Sequence, residues 1–106
     1  MRIQRRHFRR LEAPSGSGTI HNGEHHLANV RYGLRVLQEI IGTRQRSSAN
    51  AVKGVLQIAG GFCVTSGSQP FAGDHLTLRL DDGRSLSLLV VGDGPHYTID
   101  PTGGLR

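Results

Sequence analysis

The clearest period in the chain lies in its last third. Leu76, Leu78 and Leu80 alternate with polar residues, as do Leu86, Leu88 and Val90, and then Tyr97 and Ile99. Side chains two apart share one face of a strand, so three alternating sets separated by turn residues predict a three-stranded meander with one apolar face. Facing apolar residues must share a side, because a slip of one residue turns a strand over. A three-residue loop at Asp81-Asp82-Gly83 meets that condition: it sets Leu78 opposite Leu86 and Leu76 opposite Leu88, with Gly83 at the left-handed position. By the same reasoning a four-residue connection, Gly92-Asp93-Gly94-Pro95, sets Val90 opposite Tyr97 and Leu88 opposite Ile99.

The same period occurs earlier, where Val30, Tyr32, Leu34 and Val36 alternate with Arg31, Gly33 and Arg35. Helical spacing competes through Val30, Leu34, Leu37 and Ile41. Gly33 inside a helix costs about 1 kcal/mol relative to Ala, and aromatic and β-branched residues suit a pleated surface, so the reading is a strand. Thr19-Ile20 precedes it across the hairpin dipeptide Asn22-Gly23, and a loop of His21-Asn22-Gly23 places Ile20 on the face of Val30 and Tyr32. Residues 42–50 read as a polar loop. Val52, Val55, Leu56 and Ile58 form a further run that stops at Gly60-Gly61, Phe62-Cys63-Val64 reads as another short strand, and residues 66–73, with Pro70, read as a loop. About six short antiparallel strands with glycine-rich turns predict an all-β fold, a small barrel or sandwich, since a lone sheet leaves its leucine-rich face in water.

A length of 106 residues suits one domain, and with one cysteine and no tryptophan the core must be built mainly from Leu, Val and Ile without an internal disulfide. A reducing, cytoplasmic location is the expectation. The formal charge of +5 is unevenly spread. Residues 1–12 hold five arginines against Glu12, which leaves the remainder close to neutral. Residues 1–14 therefore read as a basic arm, expected to be mobile, and residues 15–106 as a single β domain. Such an arm predicts weak, nonspecific polyanion contact, because a groove that tracks phosphates needs its cations on the folded surface. No apolar run approaches the roughly 18 residues of a membrane span. Arg5-Arg6-His7-Phe8 has the look of a twin-arginine signal, but Leu11-Glu12-Ala13-Pro14-Ser15-Gly16 follows where an apolar stretch belongs.

Arg5 with Arg9, and Arg6 with Arg10, make two R-x-x-x-R pairs, and guanidinium forks suit phosphate oxygens. The segment resembles the first signature of PilZ domains, small β-barrels that bind cyclic di-GMP; their second signature, D/N-x-S-x-x-G, has no counterpart here. The resemblance implies phosphate or nucleotide binding at Arg5, Arg6, Arg9 and Arg10. His21, His25 and His26 cluster at the first hairpin and are weak metal candidates, since adjacent His25 and His26 point to opposite faces of a strand. Cys63, in apolar surroundings, reads as a small core residue, and Asp74, Asp81, Asp82, Asp93 and Asp100 as turn or strand-end residues. Asp74 with His75 forms no complete catalytic constellation, and no nucleophile elbow or phosphate-binding glycine loop is present, so an enzyme is not supported. The pattern G-x-G-x-I, V-R-Y-G-L-R-V-L-Q and L-T-L-R-L-D-D-G-R-S-L is similar to small uncharacterised bacterial proteins with a β-rich fold. The expectation is a non-catalytic module without a cofactor that binds a protein or a small ligand, with phosphate, nucleotide or nucleic-acid binding through the arginine arm as the alternative. The oligomeric state is open.

Overall fold

The structure, a computed structural model, describes residues 7–41 and 52–106. Its regular elements are all strands: β1 (His7–Glu12), β2 (Ser15–Asn22), β3 (His25–Ile41), β4 (Val52–Gly67), β5 (His75–Arg79), β6 (Ser85–Val91) and β7 (His96–Pro101). Neighbouring strands are antiparallel in the order β3-β2-β5-β6-β7-β4, and β4 returns to β3, closing a six-stranded barrel. β1 is added to β3 beyond the end of β2. Of the two architectures expected from the sequence, the chain adopts the barrel. No described helix is long and apolar enough to cross a membrane.

Closure follows from the alternation. Ala28, Val30, Tyr32, Leu34 and Val36 of β3 all point inward, together with Leu76, Leu78, Leu86, Leu88, Val90, Tyr97 and Ile99. Ile20, Leu78 and Leu88 are fully buried, and each such side chain contributes about 1.5–3 kcal/mol by leaving water.

The β5–β6 hairpin has the expected register, with Leu76 opposite Leu88 and Leu78 opposite Leu86. The Leu80 amide donates to the Arg84 carbonyl at 2.8 Å across Asp81-Asp82-Gly83, and Gly83 takes a φ of 95°. The β6–β7 register differs from expectation. Val90 faces Ile99 and Leu88 faces Pro101. A shift of two residues preserves the faces, and it frees Tyr97 to pair with Phe62 of β4 and so to close the barrel.

Three further expectations are corrected. Among the described residues the barrel has the six antiparallel strands expected, with β1 added, but β3 and β4 are long rather than short, at 17 and 16 residues. β4 does not stop at Gly60-Gly61. There the backbones of β3, β4 and β7 crowd together: a Cβ on Gly60 would strike the Gly33 carbonyl and one on Gly61 the Tyr97 carbonyl, so the glycines carry the strand through the closure. The first hairpin turns at Gly23-Glu24, with Asn22 opposite His25, and a bulge after Ile20 brings that side chain to the predicted face. The loop expected at residues 42–50 lies outside the described residues.

Beyond Gly33 and Gly61, β3 and β4 leave β2 and β7 behind and run on together as a ribbon, with β1 along its β3 edge. The molecule is accordingly elongated, with a longest dimension of 52 Å.

Candidate functional site

β4 and β7 pair only from Gly61 to Cys63. Toward the ribbon they diverge, and among the described residues the edge of β4 that faces β7 has no strand partner from Leu56 to Gly60. Ile99 to Pro101 of β7 are likewise paired on their β6 side alone. The result is a cleft of about 620 Å³ lined by Leu11, Val36, Leu56, Ile58, Pro101 and Leu105, with Glu12, Arg84 and Asp100 among its polar residues.

The apolar lining has a simple origin. Val36 is paired with Ile58, and Gln38 with Leu56, so the face that fills the barrel interior continues onto the ribbon, where no second layer of strands among the described residues covers it. Leu56, on the continuation of this core face, is 55% exposed, and Leu11, at the bulge of β1, is 46% exposed.

Arg84 fixes the polar end of the cleft. Its guanidinium meets Glu12 Oε1 at 2.7 Å, and its Nε donates to Asp82 Oδ2 at 2.9 Å. These bonds, to Asp82 first and then Glu12, push the Arg84 pKa further up, and the same pairing holds Asp82 below its usual value. These ion pairs tie the end of β1 to the β5–β6 turn.

Of the arginine arm, Arg9 and Arg10 fall within the described residues. Arg9 and Arg10 stand side by side on β1, opposite Gln38 and Leu37, and therefore project to opposite faces. Arg5 and Arg6 lie outside the described residues.

The histidines also separate. His21 faces His26 across the hairpin with ring centroids 5.4 Å apart, whereas His25 pairs with Asn22. His21 is buried, hydrogen-bonded through Nε2 to Thr19 Oγ1 at 2.8 Å, and its Nδ1 has no hydrogen-bond partner among the described residues. Burial first, then the charge of Arg79 and of His26, lowers its pKa. Among the described residues no group of three or more His, Cys, Asp or Glu side chains is placed to hold a metal ion.

Cys63 departs from its expected place in the core. It lies on the outward face of β4, between Arg31 of β3 and His96 of β7, and is partly exposed. Inward and outward positions alternate with Phe62, which is buried.

The cleft was not anticipated from sequence. Leu11 and Leu56 carry no local signal of exposure, because the pattern marks a face as apolar without saying where its covering layer ends.

No family model matches this chain, and comparison with curated proteins and with solved structures likewise found no match.

Proposed function

We propose that the protein is a non-catalytic binding module that receives an extended segment of a partner protein in the cleft between β4 and β7. The observation that carries this reading is the pair of diverging strand edges above an apolar floor. Strand addition draws affinity from main-chain hydrogen bonds to an open edge and specificity from alternate side chains that enter pockets. The β4 edge from Leu56 to Gly60 supplies the first requirement, and Val36, Ile58 and Leu105 supply the second. The partner segment is therefore one that alternates apolar and polar residues.

The test is selection of linear peptides from a displayed library, followed by titration against wild type and Leu56→Asp. Leu56 is half exposed, so the variant keeps the barrel core intact. Supporting results are peptides with period-two apolar residues, at least tenfold weaker binding by Leu56→Asp, and slowed amide exchange from Leu56 to Gly60 on binding. Peptides that bind both proteins equally, or no selected peptide at all, overturn the reading.

A further inference from the structure

The outer wall of the barrel carries a second feature, unrelated to the cleft. Cross-strand register places Ser17, Arg31, Cys63 and His96 in one row across β2, β3, β4 and β7. The next row holds Ser15, Gly33, Gly61 and Thr98. Directly opposed residues have Cβ atoms about 4.5–5.5 Å apart, so Arg31 and His96 flank Cys63 closely enough for both side chains to reach one small group above it. Arg31 and His96 are exposed, and with Gly33 and Gly61 as floor they border a recess of about 260 Å³.

Two observations distinguish this recess from an ordinary strand surface. The first is the floor. Gly33 lies mid-strand without a positive φ, and a Cβ there would meet nothing within 4 Å among the described residues. Glycine in a strand interior is destabilising, and nothing among the described residues requires it at position 33. The second is charge. Across these rows and Arg35 beyond them, the outward positions of β2, β3 and β4 hold two arginines and no acid, and Asp100 of β7 stands two positions past Thr98.

We propose that this recess binds a phosphate group. A guanidinium fork and an imidazole approaching from opposite sides suit the tetrahedrally arranged oxygens of a phosphate, whereas one fork alone satisfies a planar carboxylate. Bare backbone at Gly33 and Gly61 lets the ligand sit low between them. Arg35 follows Arg31 by four residues, about 13 Å along the strand, and offers a second station for a ligand with more than one phosphate. The residues involved are distinct from the N-terminal arginines, and the site stands or falls independently of the peptide cleft.

The experiment is titration of the full chain with inorganic phosphate, pyrophosphate and a short single-stranded oligonucleotide, with amide shifts recorded. The variants are Arg31→Gln, Arg35→Gln and Gly33→Val, with the Arg9→Gln/Arg10→Gln double variant as control. Binding of any probe is expected to shift the amides of Gly33 and Gly61, to weaken at least tenfold in Arg31→Gln and in Gly33→Val, and to persist in the control. Gly33→Val adds a β-branched residue to a strand with open space around it, so its thermal melt is retained or raised while its recess is filled. Binding of phosphate and pyrophosphate identifies a small ligand; binding confined to the oligonucleotide, weakened also by Arg35→Gln, identifies a nucleic-acid backbone. Absence of binding by every probe, or equal weakening in the control, overturns the proposal.

Discussion

Tyr32 and Asp81, 49 residues apart in sequence, exchange two hydrogen bonds: the phenol donates to Asp81 Oδ1 at 2.8 Å, and the Asp81 amide donates back to the phenol oxygen at 3.2 Å. The bond ties β3 to the β5–β6 turn across one end of the barrel. Room for the ring comes from β2, where Gly16 pairs with Tyr32 and a Cβ on Gly18 would come within 3.1 Å of the ring. At the other end Tyr97 does the same for the β4–β5 loop, donating to Gln69 Oε1 at 2.7 Å or to the Pro70 carbonyl at 3.1 Å.

Tyr32→Phe removes one donor and leaves the Asp81 amide without its acceptor. The expected loss is about 1–3 kcal/mol of unfolding free energy, read as a lower urea midpoint at unchanged slope.

The same contact sets an alkaline limit. Burial, then the hydrogen bond to Asp81, holds the Tyr32 phenol above its usual 10.0. A raised folded pKa gives stability that is full below the unfolded value and is lost as pH rises through the folded one. Urea midpoints of wild type should therefore fall above pH 10, and those of Tyr32→Phe should fall less steeply.

His21 sets the opposite limit. Its folded pKa lies below the usual 6.5, so the unfolded chain takes up the proton first as pH falls. Stability is complete above 6.5 and is lost as pH drops through the folded value. Melting temperatures measured from pH 8 to 5 should show an acid decline in wild type that His21→Gln reduces; parallel curves would refute the assignment.

Two glycines paired across β3 and β4 should respond in opposite directions. Gly33→Ala meets open space in an allowed conformation and should stabilise the protein by about 0.4–1 kcal/mol. Gly61→Ala drives a Cβ into the Tyr97 carbonyl at the barrel seam and should cost about 1–3 kcal/mol or more. Paired thermal melts read both.

Much of the barrel was legible where contacts are local. Leu78 opposite Leu86 follows from period two, one turn and the rule that facing residues share a side. The β6–β7 offset was not legible, because local pattern fixes only whether a shift is odd or even. Tyr97 chose between even shifts by pairing with Phe62, 35 positions away, and stacking on it with centroids 5.1 Å apart. The Cys63 assignment failed for a related reason: flanking Phe62 and Val64 made the segment look apolar throughout, whereas the strand turns Cys63 outward. The cleft and the recess both depend on where β4 gains or loses a neighbour, which only closure decides.

The strand β3 has a cost that follows from its length. Its first half is held in a closed ring, while its second half is flanked by β1 and β4 in a sheet one layer thick. The outer half can open without breaking the ring, so its amides should exchange with solvent ahead of those at Val30 and Tyr32. A single strand therefore spans two tiers of stability, and a segment seated beneath the looser tier would slow its breathing without touching the ring.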